Sequence, residues 1–172
     1  MQKSISLKPQ DVALLAKLLS IKKEDWRQVD LAMELKLSQS EIAKALARLS
    51  KSGLVNNKRV NRSAALEFII HAIKYMFPAE IGALTAGVPT AISSPMHKNM
   101  VVQNSDDIYV WPSINGSKRG QMIKPFYPEL AEAALKDPEF YGLMAAIEIL
   151  RVGRARERKL AASYIEKKIK NV

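Results

Sequence analysis

The chain has 172 residues, an ordinary globular share of apolar and charged side chains, and a formal net charge of +10. That length holds one good-sized domain, or a small domain with an extension packed on it, and the composition excludes global disorder. The absence of cysteine excludes disulfides, thiol catalysis and cysteine–zinc sites, and no apolar run approaches the roughly 18 residues of a membrane span.

Pro9 marks the entry to a first helix, where its missing N–H costs nothing, and Val12, Leu15, Leu18 and Leu19 follow at helical spacing. The polar run KKED, Lys22 to Asp25, breaks that pattern. A second helix is expected from about Trp26 to Leu35, burying Val29, Leu31, Ala32 and Leu35, with Lys36 and Leu37 as a short turn. Ser38 and Glu41 then match a capping box, and Gly53 is a stop signal, so the spacing predicts a helix over 39–52. Asn56, Asn57 and the basic residues after them suit a short hairpin with Val55 and Val60 as strand positions. Ser63 to Phe77 reads as helix again.

Helix 39–52 is the element that bears on function. At about 100° per residue, Ile42, Leu46 and Leu49 share one side, while Ser40, Lys44, Ala47 and Lys51 share the other, with Arg48 flanking. From Ile42 to Ala65 there are six basic residues and no acid. Residues 1–75 carry a net charge of +7, against +3 for 76–172, so the polyanion-favouring charge is concentrated here. Gln39 can pair bidentately with adenine and Arg48 with guanine. An amphipathic helix with a basic wet face is also the commonest helix of soluble proteins, so helix 39–52 alone leaves both readings open.

The order of elements adds to this. A helix, then VDLAMEL, a short turn, LSQSEIAKALARLSKSGLV and a basic hairpin together resemble the winged helix–turn–helix, particularly the MarR-like family of bacterial regulators, over residues 8–62. The resemblance implies double-stranded DNA as partner, with helix 39–52 in the major groove and the hairpin on neighbouring phosphates. It implies groove contacts from Gln39, Ser40, Lys44 and Arg48, and phosphate contacts from Arg27, Lys51, Lys58, Arg59 and Arg62. Two positions depart from the family pattern. Lys36 stands where glycine is usual, which requires a positive φ from a non-glycine residue, and the wing is short.

Beyond Pro78 the reading changes. Six of the eight prolines and four glycines lie between 78 and 128, so loops are expected to dominate there. One hairpin is expected, MVVQ (100–103) and IYVW (108–111) around NSDD (104–107). Pro128 restarts helix to Leu135, Asp137 and Pro138 cap another running to Val152, and a last helix over 155–168 buries Leu160, Ala161, Tyr164, Ile165 and Ile169. FPAEIGALTAGVPTA and LRVGRARERKLA resemble passages of small, uncharacterised bacterial winged-helix proteins, which implies that the two halves belong together.

Arg151, Arg154, Arg156, Arg158 and Lys159 form a second basic cluster, read either as a solvated helix junction or as another anion-contacting patch. Nothing supports catalysis. His71 is expected in the core and His97 in a polar loop, without metal-ligand spacing, and Asp106 and Asp107 fit a turn. There is no P-loop, GxGxxG or G-x-S-x-G. The residues therefore predict a mainly α fold. Residues 1–77 form a winged helix–turn–helix domain, 78–128 a Pro/Gly-rich segment with a hairpin, and 129–172 a helical region for core completion or dimerisation. The expected function is a sequence-specific, dimeric transcriptional repressor, cytoplasmic, without signal peptide, cofactor, metal or membrane partner. The alternative is a winged-helix module, antitoxin-like or a defence-system subunit, gripping a partner protein.

Overall fold

The computed structural model describes residues 6–100 and 107–171. Helix α1 is Pro9–Ser20, opened by Pro9 and by the Asp11 carboxylate, which accepts the Lys8 N–H at 2.8 Å. Helix α2 is Gln28–Leu35, two residues shorter at its start than expected, and Val29 is 40 % exposed rather than buried. It ends on Lys36 in the left-handed region (φ 56°, ψ 40°). The turn thus tolerates the cost of a side chain where glycine adopts that conformation freely.

Helix α3 is Gln39–Lys51. Ser38 Oγ accepts the Glu41 N–H at 3.1 Å while Glu41 Oε2 accepts the Ser38 N–H at 3.0 Å, so both exposed donors are satisfied. Gly53, at φ 80°, turns the chain out of α3. Strands β1 (Val55–Asn56) and β2 (Arg59–Val60) form a two-residue hairpin, Val55 opposite Val60. Its turn residues Asn57 and Lys58 both have positive φ, as a tight hairpin requires. The single helix expected over 63–77 is divided at Ala72 into α4 (Arg62–His71) and α5 (Ile73–Met76).

The segment 78–128 departs most from expectation. A ten-residue strand β3 (Ile81–Thr90) pairs antiparallel with β4 (Tyr109–Pro112) and with β5 (Lys118–Ile123). Strands β4 and β5 meet in parallel through Tyr109–Gln121 and Val110–Met122, closing a small barrel. The expected partner of β4 was 100–103; Met100 ends a 3-10 helical stretch, Pro95–Met100, and residues 101–106 lie outside those described. Glycine makes the barrel possible: a Cβ on Gly116 would lie 2.1 Å from the Gly87 carbonyl carbon. Backbone approaches backbone there with no room for a side chain.

Helices α6 (Leu130–Leu135), α7 (Pro138–Val152) and α8 (Ala155–Lys170) complete the chain. Asp137 caps α7 by accepting the Phe140 N–H at 3.1 Å. Every residue of α7 from Phe140 to Leu150 is buried, nearly all of them apolar, so this helix is enclosed on all sides and lies in the middle of the protein. It completes the core. That core is continuous, taking in Leu14 and Leu15 of α1, Leu49 of α3, Trp111 of β4 and Ile165 of α8. Lys17, itself buried, ion-pairs with Glu34 of α2 and Asp137 at the start of α7, joining the first helices to the last. Helix predominates among the described residues, and the fold is mainly α with a small sheet.

The histidines exchange roles. His71 is exposed. His97 is 1 % exposed, with Nε2 2.8 Å from the Gly142 carbonyl and its ring edge-on to Tyr164, and burial lowers its pKa. On α8, Leu160 is 39 % exposed, whereas Ala161, Ile165 and Ile169 are buried.

Candidate nucleic-acid interface

Helix α3 buries Ile42, Ala45 and Leu49, while Leu46 is half-buried, so the core-facing stripe is rotated slightly from the expected one. That rotation leaves Gln39, Ser40, Lys44, Ala47 and Lys51 on the exposed side. Among the described residues, neither Lys44 nor Lys51 takes part in an ion pair. Glu41, at the start of the helix, is held by the backbone and hydroxyl of Ser38, which lower its pKa.

Arg48 is placed elsewhere. Its Nε and Nη2 each lie 2.7 Å from an Asp11 carboxylate oxygen, a bidentate fork onto α1. The Asp11 side chain is 1 % exposed and that of Arg48 12 %. Asp11 raises the Arg48 pKa against the opposing effect of burial. The arginine assigned to guanine is therefore a clamp between α1 and α3, and the expectation that it faces a groove is corrected. No local pattern announces this pair, because its members are 37 positions apart.

The expected phosphate set is dispersed around α3. Arg27, with its side chain 72 % exposed, is paired with Asp30 at 2.9 Å, and that hydrogen bond lowers the Asp30 pKa. Lys58, at the hairpin turn, donates to the Trp26 carbonyl at 3.4 Å and lies 5.3 Å from the Trp26 ring centre. Arg59 reaches Glu24 at 3.0 Å. Arg62 Nη1 donates to the Ile169 carbonyl at 2.7 Å, which ties α4 to the end of α8. The hairpin thus leans on the 21–27 connection through Trp26 and Glu24, contacts that the sequence pattern did not reveal.

The 151–159 cluster does not form one surface. Arg151 is buried at its side chain, bound to Glu148 at 2.9 Å and stacked 4.2 Å from the Phe126 ring centre. Arg154 faces Asp107 at 3.4 Å, and Arg158 donates to the Gly153 carbonyl at 3.3 Å. Arg156 and Lys159 are exposed. Within this stretch Arg151 is a core residue, while Arg154, Arg156 and Lys159 are exposed.

No group of three or more His, Cys, Asp or Glu side chains able to hold a metal exists among the described residues, and no helix there is long and apolar enough to cross a membrane. No family model, curated protein or solved structure matches the chain.

Proposed function

We propose that residues 8–62 are a winged helix–turn–helix of MarR-like type that binds double-stranded DNA, within a dimeric, sequence-specific transcriptional repressor acting by occlusion. The observation that carries this reading is the solvent face of α3. It presents Gln39, Ser40, Lys44, Ala47 and Lys51, polar, small or basic side chains, while the one acid of this helix, Glu41, is tied back to Ser38 at its first turn. A helix of about 10–12 Å diameter fits a major groove about 12 Å wide, and small side chains allow its close approach. Gln39 and Ser40 at the helix start suit base edges, and Lys44 and Lys51 suit phosphates flanking them. Arg48 is not in this set. Lys58 and Arg59 on the hairpin extend the basic surface beyond α3.

The test is binding to duplex from upstream of the protein's own gene, titrated with salt and compared with unrelated duplex. The K44A/K51A variant, altered at two exposed positions, is expected to fold normally and to lose affinity. Its salt slope should fall by about two per protomer, because each phosphate contact contributes about 0.9. Unchanged affinity and slope would overturn the assignment of this face.

A second reading is favoured by the exposed apolar residues Tyr75, Met76, Ile81 and Leu84, with Tyr75 at 74 % and Leu84 at 62 %. Such side chains suit a protein partner. Weak, sequence-blind DNA binding would favour that reading.

A further inference from the structure

Two cavities meet at Leu19 and Lys22. One, of about 370 Å³, lies between the end of α1, the 21–27 connection and the hairpin. The other, of about 360 Å³, lies between the end of α1, the start of α7 and the end of α8. Together they make a trough running from the hairpin to the last turn of α8.

The trough is basic along its length. Its first part is lined by Lys22, Lys23, Lys58, Arg59 and Arg62, and its second by Lys167 and Lys168. Two acids also line it, and each is matched by a base: Glu24 with Arg59, and Glu139 with Lys168. Lys22, Lys23, Lys58, Arg62 and Lys167 have no carboxylate partner among the described residues. Arg62 on the Ile169 carbonyl also offsets the negative end of the α8 dipole, which would otherwise repel an anion there.

We propose that this trough holds the sugar–phosphate backbone of duplex DNA flanking the segment that α3 contacts, an inference that rests on the DNA-binding reading above. Three observations select this occupant. The trough begins at Lys58 and Arg59, the hairpin residues already facing the DNA in that reading, so a backbone leaving α3 continues into it. Lys58 lies over the Trp26 ring at 5.3 Å and Lys168 over the Tyr164 ring at 5.7 Å, so an unpaired base would have to displace a lysine to stack on those faces. The leucines of its floor, Leu18, Leu19 and Leu143, are at most 6 % exposed and so offer little surface to the buried anchor that dominates protein interfaces. Seven basic side chains line the trough, five of them without a carboxylate partner among the described residues, which suits the regular anions of a duplex backbone.

The test uses the full chain and two duplexes that share a central site, one of about 12 base pairs confined to the α3 contact and one extended by about one helical turn on each side. The variant is K22A/K23A/K167A, three exposed lysines without ion pairs. On the long duplex its affinity is expected to drop, with the salt slope falling by about three per protomer. On the short duplex it should match the parent, and K22R/K23R/K167R should restore long-duplex binding. Equal affinity and slope for variant and parent on both duplexes would overturn the trough while leaving the α3 reading intact, provided that K44A/K51A still lost binding. Loss of poly-glutamate binding with unchanged DNA binding would also overturn it, assigning the trough to acidic polypeptide. If K44A/K51A bound as the parent does, the α3 reading would fail, and the trough proposal with it.

Discussion

Two stretches of this chain are dense in basic residues, 44–62 and 151–159, and their side chains meet opposite environments. In the first, Lys44 and Lys51 stand exposed on α3, while Arg48 is drawn back onto Asp11. In the second, Arg151 is buried against Glu148, Arg154 faces Asp107, and Arg158 returns to the backbone at Gly153. Similar charge density therefore leaves two unpaired lysines on one helix face in the first stretch, whereas in the second Arg151, Arg154 and Arg158 are tied and only Arg156 and Lys159 stand free among the described residues. Location of the acids decides between them. Near α3, Asp11 of α1 takes up Arg48 and Glu41 is engaged by Ser38, which leaves Lys44 and Lys51 unpaired, whereas the 151–159 stretch has Glu148, Glu157 and Asp107 around it.

The sharpest way to break the comparison is at Arg48. Replacing it with alanine leaves the Asp11 carboxylate buried without its cation. The expected destabilisation is about 3 kcal/mol, the lower end for breaking a buried pair, because the Arg48 side chain keeps 12 % of its surface exposed. Urea denaturation measures this. At temperatures where the variant remains folded, DNA affinity should stay within about twofold of the parent, since the lost group is a clamp. A stable R48A variant with abolished binding would return Arg48 to the groove.

Glu148 tests the other half. An unperturbed glutamate titrates near 4.5, but burial pushes Glu148 up to about 7, with Arg151 pulling the other way. Between those values the folded state holds the proton more tightly than the unfolded chain does. Stability from this group is therefore greatest below about pH 4.5 and falls as pH rises through about 7, by about 3 kcal/mol. His97 has the opposite sign: its lowered pKa makes its contribution present above about 6.5 and lost as pH falls. Comparing the parent with E148Q at each pH removes the shared His97 contribution. The stability of the parent relative to E148Q should decline across pH 4.5 to 7. A flat difference would mean that Arg151 keeps Glu148 charged throughout.

The same contrast explains which parts of the molecule were legible. Pro9, Ser38 with Glu41, Gly53, and Asp137 with Pro138 act on backbone groups within a few residues, and each does so in the structure. The turn at Lys36 likewise takes the left-handed conformation its position demands. Strand β3 was not legible: Gly82, Gly87 and Pro89 read as loop, and only pairing with residues some twenty to forty positions away, such as Val88 with Trp111 and Ile81 with Ile123, makes them a strand. His97 was misplaced for a related reason. Its polar neighbours signal a loop, but that loop folds onto Gly142 of α7. On the candidate interface, the exposed lysines of α3 followed from periodicity, whereas the fate of Arg48 depended on a partner 37 residues away.

The smallest expected effect is the most direct control on the comparison. Arg156 and Lys159 are the members of the second cluster that share the condition of Lys44 and Lys51, being exposed and without ion pairs among the described residues. If free basic charge alone governed DNA affinity, R156A/K159A would weaken binding as much as K44A/K51A does, with the same loss of about two per protomer in salt slope. If position governs it, R156A/K159A should leave affinity within about twofold and the slope unchanged, measured on the same duplex over the same salt range. Both variants remove two exposed cations from a helix, so formal net charge changes equally. Only proximity to α3 differs, and a matched loss in both would make the interface a diffuse electrostatic one rather than a reading helix.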